Sequence, residues 1–301
     1  MEYRGFSENC FRLIEELPDV HRLIETVGRD GECWVGIRHN YMNCYYRGGS
    51  LFKMEIKPVK KQVEFRFDPK YFKLKKTPCT PYDDLRKWIE SGSNTPGQWL
   101  DKLDELKQVM DAWFEENPKK EREIQQKIVK DNVFGSGNYQ SIDIELAIPK
   151  NQQAGRMDII AVRREGEHYI PVVVELKNDT DSFDGESGIL AHYNKITDFL
   201  NQDGEYGEKY LVETIRRIWA TKKRLGLLKD PVPEVSTFDR AEMMFAVTGW
   251  FTGMPAGIRK RLPQKLNRTV QTVISTTNRL YFDDGELLDE IHRPAHPDSR
   301  P

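Results

Sequence analysis

The chain has 301 residues, 38% of them hydrophobic, 11% aromatic and 31% charged, with a formal net charge of −2. That length holds two domains or one decorated domain around a real core, and the charge balance excludes a uniformly basic nucleic-acid coat while leaving room for local basic patches. Cys10, Cys33, Cys44 and Cys79 show no CxxC spacing, and neither a signal peptide nor an apolar run of membrane-spanning length is present, so reduced thiols in a cytoplasmic protein with no membrane association are expected.

Residues 7–28 predict one or two short helices, with Phe11, Leu13, Ile14 and Leu17 as an apolar stripe. From Cys33 the period changes to strands, in the runs CWVGIRH, MNCYYR, SLFKMEI and KQVEFRF. RGGS at Arg47–Ser50 is a hairpin signal, and KPVKK separates the last pair, so about residues 30–75 form a small antiparallel meander. Its Tyr41, Tyr45, Tyr46 and Arg47 have two readings: contacts to a ligand or nucleic-acid backbone, or strand residues packed on a helix. KLKKTPCTPYDD and SGSNTPGQ mark connecting segments around a short helix at Leu85–Ile89. A helix is then expected from Trp99 to Asn117, stopped by Pro118.

KKEREIQQKIVKD, residues 119–131, puts Glu121 on one helical face with Ile124, Gln125 and Ile128. A glutamate in an apolar stripe is costly without a partner. The other reading places Glu121 in the first turn, where the helix dipole favours an acid. SIDIELAIP, residues 141–149, alternates Ile142, Ile144, Leu146 and Ile148 inward as a strand.

Residues 156–177 then give two strands joined by a polar turn. Asp-Ile-Ile-Ala-Val is mostly apolar, and Tyr-Ile-Pro-Val-Val-Val-Glu-Leu-Lys is rich in β-branched residues. With Gly166 and Glu167 as the central turn residues, position i faces position 333 − i, and Asp158 faces Glu175. A turn centred one residue earlier would slip that register. Two carboxylates opposed at roughly 5 Å repel each other unless a cation lies between them. Lys177 falls two residues past Glu175, on the same strand face. Glu-x-Lys alone carries nothing, since it recurs at Glu55–Lys57 and Glu105–Lys107. What distinguishes the third copy is the aspartate strand facing it.

Further on, a loop leads to a helix at about Gly188–Leu200 that carries His192 and Tyr193, read as a packed core helix or as a substrate contact. Residues 206–230 predict another helix, with Arg216, Arg217, Lys222, Lys223 and Arg224 bunched together. Such a run is either a solvated face or, beside a metal-carboxylate site, a phosphate-backbone track. Residues 242–251 read as a buried strand, 257–277 as helical with a second basic bunch, and 279–282 as a last strand. No P-loop, HExxH or GxSxG is present.

A helix with Glu121, a strand, a strand with Asp158, a strand with Glu175 and Lys177, a helix and a strand: that order resembles the PD-(D/E)XK nuclease superfamily over about residues 119–250. A glutamine-and-tyrosine motif typical of one branch is not evident, and His192 and Tyr193 stand in its region. The resemblance implies an α+β protein with a restriction-endonuclease-like mixed sheet flanked by helices. The expected division is an N-terminal α+β module for recognition or dimerisation (1–78), a helical linker (79–118), the nuclease domain (119–285) and a tail (286–301).

The resemblance also implies the chemistry. Mg²⁺, with Mn²⁺ as a substitute, would be held by Asp158, Glu175 and the Leu176 carbonyl, with Glu121 assisting. The bound metal would polarise the scissile phosphate and activate a water, with Lys177 orienting that water or stabilising the developing charge. Phosphodiester hydrolysis follows, most often of DNA and by internal cleavage, with RNA left open. Gln125, Arg156, Arg216, Arg217, Lys222 and Lys223 are the expected nucleic-acid contacts. Such enzymes often work as homodimers and often serve in host defence. A non-catalytic nucleic-acid-binding protein with the same fold is the alternative, and so is an unrelated α/β protein in which Asp158, Glu175 and Lys177 form a surface ion pair.

Overall fold

The computed structural model describes residues 3–75, 82–92, 94–132, 139–147, 155–166, 168–177, 185, 188–203, 206–228, 237–238, 240–248 and 270–275, with backbone only at 177, 189–190, 237–238, 247–248 and 270–275. It is a mixed α+β protein. The chain divides into two compact units, one formed by Met1–Lys130 with Tyr210–Val235 and the other by Asp131–Lys209 with Ser236–Pro301. This differs from a division at residues 78 and 118: the meander, the helices expected as a linker and most of the later basic helix share one unit. The reason is packing: the meander strands and the helices at Leu103–Glu116 and Glu208–Arg224 bury runs of apolar side chains, and the helices between add Leu85 and Trp99.

In the first unit, α1 (Glu8–Glu16) and α2 (Pro18–Arg29) are separated by Leu17, with Pro18 opening α2 where a missing N–H costs nothing. Val20, Leu23, Ile24 and Val27 form the buried stripe of α2. The meander follows as β1 (Cys33–Ile37), β2 (Tyr41–Tyr46), β3 (Gly49–Lys57) and β4 (Gln62–Arg66), paired in that order and antiparallel throughout. Tyr46 pairs with Gly49, and Arg47 and Gly48 between them both have positive φ (48° and 75°), the backbone of a two-residue hairpin turn.

Beyond α3 (Asp83–Ser91), the helix expected over Trp99–Asn117 is two. Thr95 and Gln98 form a reciprocal capping box for α4 (Pro96–Asp101), Lys102 interrupts, and α5 (Leu103–Glu116) buries Leu103, Leu106, Val109, Met110 and Phe114. Next come α6 (Lys120–Asp131) and, later in the chain, α8 (Glu208–Arg224). Tyr45 and Tyr46 are buried, and Tyr46 Oη donates to Asp111 at 3.0 Å while Arg47 pairs with the same carboxylate at 3.0 Å. Tyr45 and Tyr46 are therefore packing residues, while Tyr41 is half-buried.

The second unit is a six-stranded mixed sheet. β5 (Tyr139–Ala147), β6 (Arg156–Glu165) and β7 (His168–Lys177) form an antiparallel meander; after α7 (Ile189–Leu200) and α8 the chain returns as β9 (Glu242–Thr248), parallel to β7, with β10 (Val270–Ser275) parallel to β9 outside it. The short β8 (Thr237–Phe238) pairs with the start of β7. Residues 270–275, expected within a helix, are thus a strand; the run at 279–282 lies outside the described residues. Alternation in β5 is broken by a register shift between Ser141 and Asp143, so Ser141, Ile142, Asp143 and Ile144 are all buried.

β7 lies between β6 and β9 and buries every residue from Tyr169 to Leu176. Pro171 is tolerated inside it because the β8 ladder ends at Tyr169 and the β9 ladder begins at Val172. Across β7, Arg163 of β6 makes a bidentate ion pair with Glu242 of β9 at 3.2 and 2.9 Å. α7 covers one face of the sheet, with Ile196, Phe199 and Leu200 buried and Thr197 Oγ1 3.6 Å from Met243 Sδ. Among the described residues, no helix is long and apolar enough to cross a membrane.

Candidate active site

The β6–β7 hairpin has the register set by its turn. Glu165 pairs with His168, and every further pair to Ile159↔Val174 keeps the same offset. Gly166 has φ +60°, as the first central position of a primed hairpin turn requires. Asp158 and Glu175 are the next residues beyond the last ladder pair. There Asp158 Oδ2 accepts the backbone N–H of Leu176 at 2.9 Å, so a side-chain carboxylate takes over a donor from the ladder.

Glu175 is 3% exposed. Its Oε1 contacts Nδ1 of His192, from the second turn of α7, and the histidine side chain keeps 25% of its own surface exposed. A buried carboxylate is costly unless hydrogen-bonded, and α7 supplies that partner. The sequence offered His192 only as a residue near an inner helix face; its contact with Glu175 arises from how α7 lies on the sheet. Lys177 ends β7 two residues on, and its side chain lies outside the described residues.

A third acid at this end of the sheet was missed. Ile144 pairs with Ile159 and Leu146 with Met157, so Glu145 of β5 stands opposite Asp158. Glu145, Asp158 and Glu175 therefore fall in one row across three adjacent strands. Glu145 has φ +52° and pairs with Arg156 at 3.1 Å, which keeps Arg156 at this end of the sheet and exposed. The signal was present as the polar residue between Ile144 and Leu146 in an alternating strand.

Glu121 is exposed in the first turn of α6, and the face that helix buries carries Gln125, Gln126, Ile128 and Val129. The first-turn reading is the one the structure follows, since an acid there complements the helix dipole. Gln125, expected to touch nucleic acid, is 6% exposed. Its neighbour Gln126 spans the meander's end: its amide nitrogen donates to the carbonyls of Glu32 and Tyr45, at 2.9 and 3.0 Å, and its oxygen accepts from Gly48 N–H.

The basic run on α8 divides by face. Arg216, Arg217 and Lys223 are exposed. Lys222 is 4% exposed, with its ammonium 3.8 Å from the centre of the Trp34 ring, so it is a core cation of the first unit and no phosphate contact. Arg217 is paired with Glu213 at 2.6 Å and Arg224 with Glu8 and Glu15 at 2.6 and 3.0 Å. These two arginines edge a cavity of about 290 Å³ lined also by Tyr3, Phe11, His39 and Asn40.

The other two Glu-x-Lys copies are structural. Glu55 and Lys57 lie in β3, and Lys107 of α5 pairs with Asp30 at 2.5 Å. Cys10, Cys33 and Cys44 are buried free thiols, and Cys79 lies outside the described residues. Searches against protein-family models, curated proteins and solved structures found no match to this chain.

Proposed function

We propose that this protein is a Mg²⁺-dependent nuclease of the PD-(D/E)XK kind, hydrolysing phosphodiester bonds of DNA by internal cleavage in the cytoplasm, with Mn²⁺ able to substitute. The observation that carries the reading is the hairpin end itself: Asp158 and Glu175 adjoin across two strands, with Asp158 fixed by Leu176 N–H and Lys177 two residues further on. The strand order, an antiparallel meander followed by a helix and a parallel strand, also supports it.

The donor set fits the ion. Among the described residues no group of three His, Cys, Asp or Glu side chains makes a dedicated cation cage. Mg²⁺ does not need one, because it binds through one or two carboxylates and keeps waters and substrate phosphate as its other ligands. Asp158 and Glu175 would hold it, with the Leu176 carbonyl. When bound, the ion supplies Lewis-acid polarisation of the phosphate and a water of lowered pKa. Lys177 would orient the attacking water or stabilise charge on the phosphoryl oxygens. Arg156, exposed at the same end of the sheet, would meet the phosphate backbone. Glu121 is left out of this assignment.

The test is cleavage of plasmid, linear duplex, single-stranded DNA and RNA with Mg²⁺, Mn²⁺ or EDTA, for wild type, Asp158→Asn and Lys177→Ala. Metal-dependent cleavage lost in both variants is the expected result, and the lanes report the substrate. Cleavage that survives both substitutions sinks the assignment. Metal-independent binding with no cleavage in any lane points to the non-catalytic nucleic-acid-binding protein.

A further inference from the structure

Glu175 is the one acid of the proposed site whose carboxylate is buried, and it is met from the covering helix. A glutamate at a strand end has three side-chain torsions, so burial alone does not decide which oxygen points toward an ion. The contact from His192 does decide it. Because an ionised carboxylate only accepts, the imidazole must present Nδ1–H to Oε1, which holds one oxygen of the carboxylate in place, and the second, Oε2, is buried as well. His192 stands in the second turn of a twelve-residue helix anchored on the sheet by Ile196, Phe199 and Leu200, so the donor is held on a rigid element.

We propose that His192 is a positioning residue for the metal site: its Nδ1–H fixes Glu175 so that Oε2 is presented to a divalent cation shared with Asp158. This rests on the nuclease reading and assigns a role to α7 within it. Groups that orient a ligating side chain from behind typically change metal affinity 10–100-fold when removed. A clasp that only joined α7 to the sheet would change stability and leave affinity alone.

The experiment is calorimetric titration of the full chain with Mn²⁺, together with thermal melts without metal, for wild type, His192→Ala, His192→Asn and Glu175→Gln. The asparagine amide can donate from nearly the place of Nδ1, so it serves as the conservative variant and covers the case in which the alanine variant does not fold. The proposal expects wild type to bind, Glu175→Gln to lose that binding, His192→Ala to bind roughly 10–100-fold more weakly, and His192→Asn to recover most of the loss. Wild-type affinity in His192→Ala, or an equal loss in the asparagine variant with a matching fall in melting temperature, overturns the positioning role and leaves the nuclease reading standing. A folded wild type that binds no Mn²⁺ overturns both.

Discussion

Asp158 reaches past the end of its own ladder to take the backbone N–H of Leu176, 2.9 Å from Oδ2. One carboxylate thus has two separable duties, closing the hairpin end and, on the reading above, binding metal. Asp158→Asn keeps a carbonyl oxygen for Leu176 and removes the charge; Asp158→Ala removes both. The alanine variant is expected to lose about 1–2 kcal/mol of stability and the asparagine variant under about 1 kcal/mol, while neither cleaves. Urea unfolding run beside the cleavage assay separates the two duties.

Lys222 and its neighbours on α8 should behave differently despite their similar sequence context. Arg216→Ala and Lys223→Ala remove exposed charges and are expected to leave stability within about 0.5 kcal/mol of wild type. If they touch phosphate, each lowers the salt slope of DNA binding by about 1. Lys222→Ala empties a buried site over Trp34 and is expected to destabilise by about 2 kcal/mol, with the salt slope unchanged. Salt-dependent anisotropy titrations and thermal melts decide this.

Gln126 holds three backbone groups of the first unit, the N–H of Gly48 and the carbonyls of Glu32 and Tyr45. Gln126→Ala strands buried polar groups, at about 1–3 kcal/mol for each that stays unpaired. The largest single loss in the N-terminal part of the chain is expected here or at Gly48. A Cβ at Gly48 would lie 2.6 Å from Glu123 N and against the Arg122 carbonyl carbon, on a residue whose φ is +75°. Gly48→Ala therefore adds strain to a clash with helix backbone that cannot swing aside. Denaturant unfolding of both variants tests the pair.

The Asp30–Lys107 ion pair predicts a pH signature. Burial pushes the Asp30 carboxyl up, but the Lys107 ammonium and the Glu32 N–H outweigh it and hold it below its usual value. Burial pushes Lys107 down, and its bonds to Asp30 and Glu32 raise it overall. A depressed acid contributes stability that is present above its unfolded pKa of about 4 and lost as pH falls through the folded value. A raised lysine contributes stability present below about 10.4 and lost as pH rises beyond it. Lys107→Met is thus expected to cost about 1.5–3 kcal/mol between roughly pH 5 and 9, and less in stronger acid and base. Stability measured against pH for both proteins gives the difference directly; a cost that grows in acid contradicts the assignment.

Legibility followed range along the chain. The β6–β7 register was readable because a two-residue turn with a glycine at its first central position fixes pairing locally, and Gly166 obeys that rule. The four-stranded meander, α1, α2 and the amphipathic α5 were readable for the same reason: their periods are written in consecutive residues. Glu121 was not, because a helical wheel defines a face without saying where along the helix burial begins: Gln125 and Ile128 of its own face are buried, while Glu121, in the first turn, is exposed.

Lys222 and His192 mark the same boundary more sharply. A lysine in a basic run and a histidine on a packed helix look ordinary in sequence. Only the fold puts the first over Trp34, nearly two hundred residues earlier, and the second against Glu175. Residues 270–275 became a strand because β9 offered an unpaired parallel edge, which outweighs local helical pattern. The sequence by itself determined the α+β class, the hairpin register and the adjacency of Asp158 and Glu175, since these depend on turn chemistry and alternation. The tertiary structure decided which of the remaining charged residues reach that hairpin, because burial of a charge depends on partners supplied by distant segments of the chain.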